Sequence, residues 1–135
     1  MRRICFRRGD GNEIKQMPNE TQMTEQTMDG LWTAEFGSSA GVFGGGVATL
    51  REGTITGGDG TYFYLGNYQL RGRAFHAVLR VSPFIDGAES VFKTTGRNLT
   101  LELTGSLTPD GQVIAQGTPR EVPNVRFAVK LTRRS

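Results

Sequence analysis

Three segments of the chain alternate between apolar and mostly polar residues. The clearest covers residues 98–104, where three leucines are separated by polar side chains, and the pattern recurs at residues 75–81 and 126–132. A period of two places every second side chain on the same face of a β-strand. Each of these segments is therefore predicted to be a strand with one buried face and one solvated face.

Turn residues divide the rest of the chain into further short strands. We predict them at 30–37, 42–51, 61–70 and 112–118, with a shorter one around 54–57. Tight hairpins are favoured at Glu52-Gly53, Arg71-Gly72-Arg73 and Pro109-Asp110-Gly111. About eight short strands without a long amphipathic helix predict an all-β, antiparallel, up-and-down barrel, because closure removes exposed sheet edges. The longer connection at 83–96 is expected to hold a turn of helix or an irregular lid.

Residues 1–28 differ from the remainder because they are polar and rich in turn residues. Such a segment buries too little apolar surface to offset the entropy cost of ordering it. We predict a flexible N-terminal leader over 1–28, which includes a frayed helix at 19–28 as one possibility, and a barrel domain over 29–135. A second interpretation is that Met28 is the true start, so the sequence leaves open whether residues 1–27 belong to the native protein.

Composition narrows the classes of function. A length of 135 residues fits one domain, and 36% hydrophobic residues with 19 glycines are typical of a β protein with many bends. The net charge of +3 is small and its basic residues are scattered, so we expect no direct binding to nucleic acid. Cys5 is the only cysteine, which fits a cytoplasmic location, and no stretch approaches the roughly 20 apolar residues of a membrane helix.

A glycine-rich corner precedes an aromatic strand. Gly57, Gly58 and Gly60 surround Asp59, which is suited to bond neighbouring amides in a tight turn. The run lacks the Gly-Lys-Ser/Thr of a phosphate loop, and a strand follows it rather than a helix, so a nucleotide site is not expected. We interpret it as a structural corner.

The aromatic strand holds every tyrosine of the chain. Tyr62, Tyr64 and Tyr68 share one face, and Gly66 lies between them. Pointing inward, they would line a cavity for a small apolar ligand; pointing outward, they would form a patch for a protein partner or a dimer. A third interpretation is that they pack in the barrel or on the sheet without a binding role. The sequence leaves the direction open.

No group of residues forms a recognisable catalytic or metal site. His76 is the only histidine, which excludes a His/Cys zinc cluster, and no Gly-x-Ser-x-Gly motif is present. Asp59 and Glu102 could be considered as paired carboxylates for acid–base catalysis. Asp59, however, has a sufficient role in its turn, and Glu102 lies on a solvated strand face. We therefore expect no enzyme activity, cofactor or metal.

The first strand opens with Gly30-Leu31-Trp32, which resembles the first-strand signature of lipocalin-type barrels. In those proteins the tryptophan plugs the closed end, and a basic residue of the last strand packs over it. Candidates for that basic residue are Arg126, Lys130 and Arg133. The alternative is a core tryptophan of a β-sandwich. Basic residues near the C-terminus, including Arg134, also suit an exposed strand edge that resists edge-to-edge pairing.

Several motifs together resemble the GrlR family, small negative regulators of type III secretion genes. They are Met28-Asp29-Gly30-Leu31-Trp32, Gly41-Val42, Gly46-Val47, Ile55-Thr56-Gly57-Gly58-Asp59 and the pattern of Tyr62, Tyr64, Gly66 and Tyr68. The resemblance implies a lipocalin-like barrel with an apolar cavity, a homodimer, and a role in binding and restraining a transcriptional activator. The namesake has an acidic run where this chain has Arg71 and Arg73, so the resemblance implies a different partner here.

Two hypotheses follow. The first is a non-catalytic regulator that binds a protein partner through an exposed apolar face, with Arg71 and Arg73 supplying charge selectivity. The alternative is a carrier or sensor that binds a small molecule inside the barrel, lined by Tyr62 and Tyr64 or by Phe63 and Leu65, depending on which face of the strand points inward.

Overall fold

The structure, a computed structural model, describes residues 28–135. It confirms an all-β fold in which eight antiparallel strands form one closed barrel in sequence order. The predicted leader lies outside the described residues except for Met28. The strands are β1 (Gly30–Ser38), β2 (Phe43–Arg51), β3 (Thr54–Gly58), β4 (Tyr62–Arg71), β5 (Ala74–Pro83), β6 (Leu99–Leu107), β7 (Gln112–Pro119) and β8 (Phe127–Arg133).

The barrel closes between its first and last strands. β8 pairs with β7 on one side and with β1 on the other, where Trp32 stands opposite Arg133. The expectation that the basic residues of the C-terminal strand mark an exposed edge is therefore wrong, because both sides of β8 are hydrogen-bonded. Residues alternate inward and outward along every strand, and this alternation places the apolar core inside the barrel.

One end of the barrel, here called the closed end, is sealed around Trp32. The indole is almost fully buried, and its Nε1 donates a hydrogen bond of 2.9 Å to the carbonyl of Met28, which is itself fully buried. The Arg133 guanidinium lies 5.4 Å from the centre of the indole ring and also donates to the carbonyl of Asp29. Of the three basic candidates, Arg133 therefore packs over Trp32, because the β1–β8 register sets the two residues opposite each other.

The opposite end, here called the open end, carries the longer connections. It is formed by the β1–β2 and β3–β4 turns, by residues 84–98 between β5 and β6, and by residues 120–126 between β7 and β8. Residues 84–98 are irregular apart from one bridge between Glu89 and Thr95, so the lid takes its irregular form and not the helical one. Within residues 28–135 there is no helix long and apolar enough to cross a bilayer.

Candidate functional site

The three tyrosines point into the barrel. Tyr62 and Tyr68 are 3% and 9% exposed, while their neighbours Phe63 and Leu65 are 38% and 48% exposed on the outer wall. Tyr68 stacks on Phe75 at a ring distance of 6.0 Å. The structure thus settles the direction that the sequence left open.

A cavity of about 400 Å³ occupies the barrel next to Tyr62 and Tyr64. This volume falls within the range of about 300–1,000 Å³ that is typical of small-molecule sites. Its walls are mainly apolar and come from most of the strands; they include Leu50, Ile55, Phe75, Leu101, Leu103 and Leu131. Residues of the β1–β2 turn, the β3–β4 turn and the 84–98 segment also line it, so its mouth lies at the open end.

The segment at residues 84–98 covers part of that mouth. Phe92 is 4% exposed and packs on Phe127 at a ring distance of 5.4 Å. The segment is fastened to β1, because the Ser38 hydroxyl donates to the carbonyl of Val91. Ser90 holds the turn together by accepting from the amide of Phe92 at 3.1 Å. The mouth is consequently narrowed by a segment with its own apolar anchor.

Asp59 organises the polar side of the mouth. One carboxylate oxygen accepts hydrogen bonds from the amides of Thr61 and Tyr62 at 2.9 and 2.8 Å. The other accepts from the hydroxyl of Tyr64. The same carboxylate therefore fixes the β3–β4 turn and orients a tyrosine that lines the cavity.

Both mouth tyrosines are held in the neutral form. Burial raises the pKa of Tyr64 well above its usual range, and the hydrogen bond to Asp59 and the charge of that residue raise it further. Burial also raises the pKa of Tyr62; a hydrogen bond with Ser90 lowers it, and the charges of Asp59 and Glu89 raise it. The Tyr62 hydroxyl donates to the carbonyl of Ala88 at 3.1 Å. At neutral pH these phenols are donors to protein groups.

The corner glycines allow strands to approach closely. A Cβ atom on Gly57 would stand 2.2 Å from the carbonyl oxygen of Val47, and one on Gly58 would stand 2.9 Å from that of Tyr62. Neither backbone is left-handed, so close approach is the reason for glycine here. Gly60 has open space around it and no such constraint. Gly30 has a positive φ and lies against the carbonyl oxygen of Ser135.

The predicted arginines are not part of the cavity. Arg71 ends β4 and Tyr62 begins it, so a ten-residue strand separates them by about 30 Å. Arg71, at the end of β4, and Arg73, in the β4–β5 turn, are exposed at the closed end, where Arg73 donates to the carbonyl of Leu107 at 3.0 Å. The structure therefore divides the predicted site residues between the two ends of the barrel.

The remaining titratable candidates lie outside. His76 and Glu102 form a pair at 3.0 Å on the outer wall, and both side chains are more than two-fifths exposed. Residues 28–135 contain no group of three or more His, Cys, Asp or Glu side chains able to hold a metal ion.

Sequence reasoning missed the parts of the mouth that come from irregular segments. Glu89, Ser90 and Phe92 line the cavity, yet nothing in the local sequence distinguishes them from other loop residues. Phe36 and Phe127 could have been found as apolar positions of alternating strands. Their meeting at 5.6 Å depends on barrel closure.

No protein-family model and no curated protein sequence matches this chain. The resemblance to the GrlR family accordingly remains a prediction from the motifs.

Proposed function

We propose that the protein is a non-catalytic, cytoplasmic binder of a small and largely apolar molecule, which it holds inside the barrel. The observation that carries this proposal is the apolar cavity of about 400 Å³ with its mouth at the open end. Interiors of small barrels are usually filled by side chains, whereas this one leaves room for a ligand. The Trp32–Arg133 contact seals the other end, so a ligand enters beside the tyrosines.

The test is to fill the cavity and measure binding. Ala34 lines the cavity and is buried, so Ala34→Leu adds volume where a ligand would lie. Ala128→Leu adds the same atoms at an exposed position of β8 and serves as the control. Binding is measured with the neutral fluorescent probe N-phenyl-1-naphthylamine. Native mass spectrometry of gently purified protein shows whether a molecule is carried along.

We expect the wild type and Ala128→Leu to bind the probe, and Ala34→Leu to lose most of that binding. Val129→Phe, at another buried position of the cavity wall, replaces Ala34→Leu should the latter fail to fold. Equal binding by the wild type and by a folded cavity-filling variant would refute the proposal. So would the absence of probe binding together with the absence of any carried molecule.

A second candidate function is the one implied by the GrlR resemblance, a homodimeric negative regulator that restrains a transcriptional activator. The observation that favours it is an apolar patch on the outer wall, formed by Val47, Phe63 and Leu65, which are 49%, 38% and 48% exposed. The register places Val47 and Phe63 on either side of Gly58. Arg71 lies on the same outward face of β4, where it would add charge selectivity.

Leu65→Glu tests this second candidate, with Ile114→Glu as its control. Ile114 is 45% exposed on β7, three strands away around the barrel. A stoichiometric partner or a homodimer that is retained by Ile114→Glu and lost by Leu65→Glu would support the patch as an interface. A monomer in sedimentation with no stoichiometric partner for the wild type would argue against regulation through this face.

A further inference from the structure

We infer that the ligand of the cavity is an apolar molecule with a positively charged head that donates hydrogen bonds, such as a primary alkylammonium ion. This inference rests on the proposed binding function and adds the chemical class of the ligand.

The two charged side chains that line the cavity are negative. Asp59, from the β3–β4 turn, and Glu89, from the 84–98 segment, both line the cavity. Among the described residues that line it there is no lysine, arginine or histidine. Glu89 is exposed and makes no ion pair with any residue of the described part of the chain. A charged head at this mouth therefore meets two carboxylates without a basic partner.

The two phenols at the mouth are arranged so that they offer acceptors to a ligand. The hydroxyls of Tyr62 and Tyr64 donate to the carbonyl of Ala88 and to the carboxylate of Asp59. A phenol has a single hydrogen to donate, so the lone pairs of the oxygen are what each offers to a ligand. The hydroxyls of Ser90 and Thr94 are hydrogen-bonded to each other at 2.7 Å. The mouth is thus better suited to a head that donates than to one that accepts.

The apolar walls and the two carboxylates together disfavour an apolar molecule with a negatively charged head. A fatty-acid carboxylate would place its charge against Asp59 and Glu89, and the hydroxyls of Tyr62 and Tyr64 already donate to protein groups. Like charges brought together in this way are a common device for rejecting a wrong ligand. An ammonium head offers three donors and the opposite charge, and its chain fills the space between the strands.

The test compares three probes with the same ten-carbon chain, measured by isothermal titration calorimetry at neutral pH. They are n-decylammonium, n-decanol and n-decanoate. We expect decylammonium to bind about tenfold or more tightly than decanoate, with decanol between them. Equal affinities for all three, or tighter binding of decanoate, would overturn the inference while leaving the cavity as a binding site. Binding of none would refute the proposed function and this inference with it.

Glu89→Gln tests the source of the selectivity. It removes one charge from an exposed side chain and preserves its shape. We expect decylammonium to bind about two- to fivefold more weakly, as for the loss of an exposed charge pair, and decanol to be unchanged. Glu35→Gln makes the same change of charge on the outer wall of β1, where Glu35 is 4.0 Å from Lys130, and is the matched control. An effect no larger than that of Glu35→Gln would contradict the role given to the mouth carboxylates.

Discussion

Substitution of Gly66 tests how the tyrosine strand is held in the barrel. Gly66 lies between Tyr64 and Tyr68 on β4, directly opposite Leu79 of β5. A Cβ atom at this position would stand 2.1 Å from the carbonyl oxygen of Val78 and 2.9 Å from the Cα of Leu79. Both contacts are with backbone atoms, which no change of rotamer can move. Gly66→Ala therefore requires β4 and β5 to separate by nearly an ångström.

The loss of stability caused by Gly66→Ala can be estimated from these contacts. Forcing extra atoms into a packed site typically costs about 1–3 kcal/mol, and we expect the upper half of that range because backbone must move. For a domain of a little over 100 residues, each kcal/mol lowers the melting temperature by about 3–5 °C. We therefore expect Gly66→Ala to melt roughly 6–15 °C below the wild type.

The measurement is urea denaturation together with thermal melting followed by circular dichroism. Gly60→Ala is the matched control, because a Cβ atom there meets nothing within 4 Å and the φ angle is not left-handed. That variant should differ from the wild type by about 0.5 kcal/mol or less. Equal stability of the two variants would refute the close approach of β4 and β5 as the reason for Gly66.

Three further predictions concern residues at the two ends and on the outer wall. Arg133→Met should lower the free energy of unfolding by about 1–2 kcal/mol, because it loses the contact with Trp32. Lys130→Met is the control and should lower it by less than about 1 kcal/mol. Urea denaturation measures both variants, and equal losses would contradict the contact between Arg133 and Trp32. Because the fold raises the pKa of Tyr64, the contribution of this neutral phenol to stability is complete below pH 10.0 and is lost as the pH rises above it. The free energy of unfolding should then fall by up to about 1.4 kcal/mol per pH unit. Tyr64→Phe should reduce this pH dependence, and an unchanged dependence would exclude Tyr64 as its source. His76→Ala should change the free energy of unfolding by about 0.5 kcal/mol or less and leave probe binding intact, because the His76–Glu102 pair lies on the outer wall. A loss of probe binding would contradict this placement of the pair outside the site.

The strand pattern was predictable because local chemistry determines it. Alternation of apolar and mostly polar residues located β5, β6 and β8, and turn residues located the hairpins to within one to three residues of the observed bounds. The site was predictable only in part. Tyr62 and Tyr64 were identified as candidates, whereas Glu89 and Ser90 lie in an irregular segment that is brought to the mouth by contacts with Ser38 and Tyr62. Contacts between residues so distant in sequence leave no local signal.

By itself, the sequence determined an antiparallel barrel of about eight strands and a tight turn at Asp59, because alternation and turn residues act over a few positions. It could not determine which face of β4 is inside, since Tyr62 and Tyr64 on one face and Phe63 and Leu65 on the other are all apolar enough to be buried. It also left three basic residues as partners for Trp32. Only the tertiary structure decided these points, because closure of β8 onto β1 fixes the register and sets Arg133 over the indole. The same closure decides how much space remains between side chains of distant strands, and so creates the cavity beside the tyrosines.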